Sequence, residues 1–98
     1  MARYAWIIDT DHLASPEFGD EAGITGPRSI TEEQTAALAA GEGARFKMYD
    51  DDGELYYSGR FLGDDEAEEA FGPLDDFGMP NAGATTIKYL RNGIWEIL

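Results

Sequence analysis

The chain has 98 residues, no cysteine, and twenty acidic against seven basic side chains, a formal net charge of −13. That length suits one domain, residues 1–98. Without cysteine there is no disulfide, no thiolate metal ligand and no cysteine nucleophile, and a reducing cytoplasm fits.

The charge also narrows the partners. Duplex DNA carries one charge per about 1.7 Å of axis, so thirteen charges match roughly 22 Å of duplex. A domain of this size has a radius of gyration of about 13 Å. Its charge density is therefore comparable to that of nucleic acid. Nucleic acid and anionic membranes are disfavoured as direct partners, and basic protein surfaces are favoured. No apolar run reaches membrane-span length, and Met1–Asp11 lacks the basic-then-apolar pattern of a signal peptide.

In chain order, Arg3–Asp9 reads as a strand, with Tyr4, Trp6 and Ile8 alternating onto one face. Asp9-Thr10-Asp11-His12 reads as the turn that ends it. Residues 14–28 are broken by glycine and proline and read as loop, with Phe18 and Ile24 expected to tuck onto the core. Thr31-Glu32-Glu33-Gln34 fits a capping box and opens a short helix that stops at Gly41. Leu38 is its single large apolar side chain.

A hairpin follows. Ala44–Asp51 and Glu54–Leu62 flank Asp52-Gly53, read as a two-residue turn. This pairs Met48 with Tyr57 and Phe46 with Gly59, and places Phe46, Met48, Leu55, Tyr57 and Phe61 on one face. Asp64–Phe71 reads as a second short helix stopped by Gly72-Pro73. Residues 73–84 read as loop, anchored by Leu74, Phe77 and Met79. The last hairpin joins Thr85–Leu90 to Ile94–Leu98 through a three-residue loop, Arg91-Asn92-Gly93. That register sets Tyr89 opposite Trp95, Ile87 opposite Ile97 and Lys88 opposite Glu96. The sum is an α+β fold: an antiparallel sheet of about five strands with two short helices.

Little in the chain suggests catalysis. The single histidine, His12, sits beside no serine in a nucleophile-elbow context, and no glycine-rich loop lies between a strand and a helix. No enzyme activity and no cofactor are expected. Asp50-Asp51-Asp52-Gly53-Glu54 fails the spacing of a calcium loop, because glycine stands fourth instead of sixth. Asp9, Asp11 and His12 could hold a metal if they converged; otherwise they are a strand end and a turn. Arg45, Lys47 and Arg60 form a basic stripe with Tyr49 and Tyr56. In so acidic a chain that stripe is expected to pair with its own acids, those of the 64–69 segment among them.

The densest acidic segment is Asp64, Asp65, Glu66, Glu68 and Glu69, followed by Asp75 and Asp76. The helix dipole accounts for the first acids but not for all of them. These seven side chains are the candidate partner-binding residues. The alternative is a solvated face whose charge serves solubility. In size, acidity and lack of catalytic groups the chain resembles the small phage- and plasmid-borne inhibitors that imitate DNA, among them anti-CRISPR and antirestriction proteins. The resemblance is one of class. It implies a non-enzymatic protein that occupies the basic nucleic-acid site of a target.

Overall fold

A computed structural model of the chain describes residues 3–98. Met1 and Ala2, which begin the segment read above for a leader, lie outside the described residues. Six strands form one antiparallel sheet: β1 (Ala5–Asp11), β2 (Thr25–Gly26), β3 (Ala44–Tyr49), β4 (Leu55–Leu62), β5 (Thr86–Arg91) and β6 (Ile94–Ile97). Their spatial order is β2-β1-β4-β3-β5-β6. The sixth strand is β2, two residues long and paired with Trp6 and Ile7 of β1. Its Gly-Pro sequence hid it among the loop signals.

Helix α1 (Glu32–Ala39) opens with the expected reciprocal cap. Thr31 Oγ1 accepts from the Gln34 N–H, and Gln34 Oε1 accepts from the Thr31 N–H. α1 rests on β1 and β4. It lies on the outer face of the sheet, where the Arg60 guanidinium donates to the Leu38 carbonyl at 2.6 Å.

The inner face carries the core. Trp6, Ile8, Phe46, Met48, Tyr57, Phe61, Ile87 and Tyr89 are buried there beneath Ala70, Leu74 and Phe77. Those last three residues correct the second helix. The chain does not become helical at Asp64. Asp64–Glu66 forms a turn in which Asp64 Oδ1 accepts from the Glu66 N–H. The helical run starts at Glu68 as a 3₁₀ turn, widens to a π turn at Leu74–Gly78, and ends as α2 (Met79–Ala82). Gly72-Pro73 therefore lies inside the run, near its start. Proline is tolerated there because the first turn needs no N–H partner. Spacing of i, i+4 and i+7 brings Ala70, Leu74 and Phe77 onto one face. Met79, expected as an anchor, is exposed.

Both hairpins have the expected partners in the chain but the opposite loop lengths. Around Gly53 the loop is the longer one: Asp50 Oδ1 accepts from the N–H groups of Asp52 and Glu54, and Gly53 alone has positive φ, +80°. The pairs Met48–Tyr57 and Phe46–Gly59 form as expected, but a bulge then sets Leu55 opposite Tyr49, moving Leu55 to the outer face. At the last hairpin, Asn92 (φ 52°) and Gly93 (φ 78°) make a two-residue turn with both residues left-handed. The register moves by one: Leu90 pairs with Trp95, Tyr89 with Glu96 and Lys88 with Ile97. Trp95 and Ile97 therefore face outward. Phe18 and Ile24 do not tuck in; Phe18 is 77% exposed.

Gly59, in the middle of central strand β4, has no space for a side chain. A Cβ there would stand 2.0 Å from the Ile7 carbonyl oxygen and 2.6 Å from the Phe46 ring. Since one of those neighbours is backbone, relief requires the sheet to move. Gly59→Ala is expected to destabilise the protein by about 3 kcal/mol, at the upper end for overpacking. Urea denaturation followed by circular dichroism measures this; a loss under about 1 kcal/mol contradicts the tight crossing.

Candidate functional site

The helical run brings Glu68, Glu69, Asp75 and Asp76 to the surroundings of one side chain, Tyr4. Its ring packs on Phe61 with centroids 5.8 Å apart and lies against Gly72. Its hydroxyl donates to Asp76 Oδ2 at 2.7 Å, and the Trp6 indole N–H reaches the same oxygen at 3.1 Å. A tyrosine and a tryptophan with polar tips need an acceptor when packed, and Asp76 supplies it. Burial is the largest cause that pushes the Tyr4 phenol up, to about 12; the bond to Asp76 and the charges of Asp76, Asp75 and Glu69 add to it. These carboxylates act on the same hydroxyl, so the two acidic segments join into one face.

The seven acids divide by role. Asp76 is tied to the core aromatics. Glu69 Oε2 accepts from the Asp64 N–H at 3.1 Å, and its other oxygen lies 3.6 Å from Arg3. The Asp64 carboxylate caps its own turn. Asp65 offers its main-chain carbonyl to the Arg91 guanidinium, so that cation holds the backbone and not a carboxylate. Glu66, Glu68 and Asp75 are exposed, and among the described residues their side chains enter no hydrogen bond or ion pair. The face is thus a built loop and helix start that presents three free carboxylates outward.

Asp9, Asp11 and His12 do not converge. A β-bulge between Ile8 and Thr10 makes Asp9 the extra residue of β1. Asp9 turns to the outer face and binds Arg60 through both oxygens, each at 2.7 Å. His12 meets Ser58 Oγ at 2.8 Å. Asp11 swings to the inner face, opposite Tyr57, where its oxygens accept from the Leu13 and Glu21 N–H groups. Among the described residues no group of three acidic or histidine side chains stands close enough to hold a metal ion.

The basic stripe also departs from expectation. Arg60 takes a carboxylate from β1, not from the 64–69 segment. Arg45, Lys47 and Lys88 take none among the described residues. Lys47 Nζ lies 4.3 Å from the Trp95 ring centroid, Arg45 Cζ 5.8 Å from it, and Lys88 Nζ 4.7 Å from the Tyr49 ring centroid. Two like-charge pairs sit directly across strands, Arg45–Arg60 and Lys47–Lys88. Such pairs repel, and the aromatic faces offset part of the cost. Trp95 can serve there because the two-residue turn moved it outward. Sequence reading missed Tyr4 and Trp95: both were placed on the apolar face as packing residues, and only their polar or quadrupolar character signalled more.

No family model matches this chain, and no curated protein sequence or solved structure does either.

Two outcomes follow from this electrostatic arrangement. Unneutralised acids repel, and salt shortens that repulsion, so the melting temperature is expected to rise between low salt and about 0.3 M sodium chloride; a flat curve contradicts it. In the folded chain Tyr4 keeps its proton up to about pH 12, against an ordinary value of 10.0. Stability tied to the neutral phenol is complete below pH 10 and is lost as pH rises through that window. Tyr56, Tyr57 and Tyr89 are shifted upward too and share in the loss. Tyr4→Phe is expected to cost roughly 1–2 kcal/mol at pH 7 and to flatten part of the alkaline decline. Thermal melts of both proteins across that range check this.

Proposed function

We propose that this domain is a non-enzymatic cytoplasmic binding protein that sets its acidic face, around Tyr4, against the basic nucleic-acid site of a partner protein. Glu66, Glu68 and Asp75 make the outward contact; Asp64, Asp65, Glu69 and Asp76 shape the surface that carries them. This is how DNA-imitating inhibitors of the anti-CRISPR and antirestriction class work, and the reading extends the class resemblance.

One observation carries it: four of the chain's seven cations are held away from this face, while Arg3, Arg91 and Arg28, the last in the same cavity wall as Asp76, come near it. Arg45, Lys47, Arg60 and Lys88 lie on the outer face of the sheet, and the helical run lies on the inner one. Arg91 touches the acidic loop only at a carbonyl. Arg3, exposed and 3.6 Å from Glu69, is the only cation in an ion pair with the face among the described residues. A carboxylate surface left without internal neutralisation attracts a basic partner and speeds encounter with it.

A second reading has its own support. Thirteen of the twenty acids lie outside this face, on β1, the 17–21 loop, α1 and the two hairpins among other places. Charge spread that widely also serves solubility.

Charge reversal separates the two. Changing Glu66, Glu68 and Asp75 to Lys moves the net charge from −13 by six units. Changing Glu17, Glu33 and Glu42 to Lys moves it equally and leaves the face alone. All six positions are exposed, so each change is expected to cost the fold under about 0.5 kcal/mol. A basic nucleic-acid-binding protein recovered from host lysate supplies the competition assay. The first variant is expected to lose competition with the partner's nucleic acid while the second keeps it. Equal loss in both means bulk charge acts without a site; no loss in either removes the proposal.

A further inference from the structure

The bulge that separates Asp9 from Asp11 builds a second site, distant in character from the acidic face. Past Ile8, unbroken alternation would have turned Thr10 inward and Asp11 outward. The extra residue reverses this, and Asp11 enters the inner face opposite Tyr57. Bulges re-aim side chains in this way beside binding sites. Here Asp11 arrives at the wall of a cavity of about 420 Å³, at the C-terminal end of the helical run. That volume falls within the range of small-molecule pockets, about 300–1,000 Å³.

The lining has a consistent chemistry. Asp11 is 9% exposed. Each of its oxygens accepts one backbone N–H, at 2.9 Å, which leaves a lone pair on each. No cationic side chain pairs with it among the described residues. Buried charges are ordinarily paired, so this carboxylate lacks a counter-ion. Glu21, its side chain free of hydrogen bonds among the described residues, lines the same cavity. Both carboxylates raise the Tyr57 phenol, after burial as the main cause, so both act on the hydroxyl that Asn81 Nδ2 reaches at 2.8 Å. Asn81 thereby leaves its carbonyl oxygen as a further acceptor. The remaining wall is apolar: Leu13, Ala82 and Phe18, the last exposed beyond need on the tight Ser15–Gly19 turn.

We propose that this cavity binds an organic cation, a primary alkylammonium group whose stem lies along Leu13 and Phe18. The three N–H donors of an ammonium match Asp11, Glu21 and the Asn81 carbonyl, and Phe18 offers an aromatic face to the cation. A bare metal ion does not suit the site, which has two carboxylates, no third anionic ligand and an apolar wall. The ammonium group can belong to a free amine or to a lysine side chain. The site stands independently of the acidic face.

The test is titration of the ¹⁵N-labelled protein with n-butylammonium in 0.15 M sodium chloride, followed by amide shifts. Saturable shifts are expected at Leu13, Glu21, Asn81 and Ala82, with none from n-butanol or butyrate. Glu21→Gln, which removes no hydrogen bond of the fold, is expected to weaken binding by about ten-fold, the scale of one charge-assisted contact. Asp11→Asn is expected to weaken it at least as much, but can also loosen the loop, so Glu21→Gln decides. The variant reversed at Glu66, Glu68 and Asp75 is expected to bind n-butylammonium within about two-fold, a small effect on this scale. Nα-acetyl-lysine amide distinguishes the sources: binding equal to that of n-butylammonium assigns the site to a lysine side chain, and exclusion of the capped lysine assigns it to a free amine. Shifts that do not saturate, that spread over the 64–76 face, or that survive Glu21→Gln unchanged overturn the proposal.

Discussion

The seat of residues 68–82 on the inner face of the sheet decides where the charged groups of this protein go. Two glycines allow it. Gly72 lies against the Tyr4 ring and Gly78 against the Met48 sulfur, where a Cβ would come within 2.4 and 2.5 Å. That closeness lets Phe77 reach both Trp6 and Tyr57, with ring centroids 5.5 and 5.0 Å apart. It also lets the buried Tyr89 hydroxyl donate to the Ala70 carbonyl at 2.7 Å. Burying one such ring stabilises by roughly 1.5–3 kcal/mol, so the aromatic layer holds the helical run against the repulsion of its own acids. Once seated, the run places Asp75 and Asp76 beside Tyr4 and leaves the cavity near Asn81 at its other end.

Cations in this molecule are sorted by layer more than acids are, since α1 sets Glu32 and Glu33 on the outer side as well. The sheet separates an inner side, where carboxylates crown the helical run, from an outer side where cations rest on aromatic rings. Few ion pairs neutralise the acids, and the best of them, Arg60 with Asp9, serves packing: the same guanidinium also holds the Leu38 and Glu42 carbonyls and so fastens α1 to the sheet. Arg91 does the equivalent for the 64–67 turn. The cations in hydrogen bonds work mainly as backbone clamps, which leaves carboxylates free to face solvent.

Much of the architecture was legible. The capping box at Thr31, the strand alternation of Tyr4, Trp6 and Ile8, and the inner and outer faces of β3 all come from local patterns that neighbours in sequence enforce. The position of each hairpin was equally plain from Asp52-Gly53 and Asn92-Gly93. Loop length was not. Both dipeptides permit a two-residue turn, and the choice rested on what flanks them: Asp50 captures two backbone N–H groups and enlarges the first loop, while Arg91 and Ile94 close directly on the second. The second helix was misplaced because acids were weighed as a dipole signal and Gly72-Pro73 as a stop. The burial of Leu74 and Phe77 was the stronger term.

The sequence by itself determined the charge, the number of hairpins, the absence of thiol chemistry and the residues able to form a core. These follow from composition and from short-range geometry, which need no distant partner. Tertiary structure alone decided the bulge at Asp9, the one-residue register of β5 and β6, and which acids are tied and which are free. Each of these depends on a contact across the sheet or between layers: Asp9 with Arg60, Leu90 with Trp95, Tyr4 with Asp76. A single-residue slip exchanges the faces of a strand, so no local pattern reveals it. The slip carries Asp11 into the cavity while Asp9 stays on the outer face with Arg60, and only the partner strand β4 sets where it occurs.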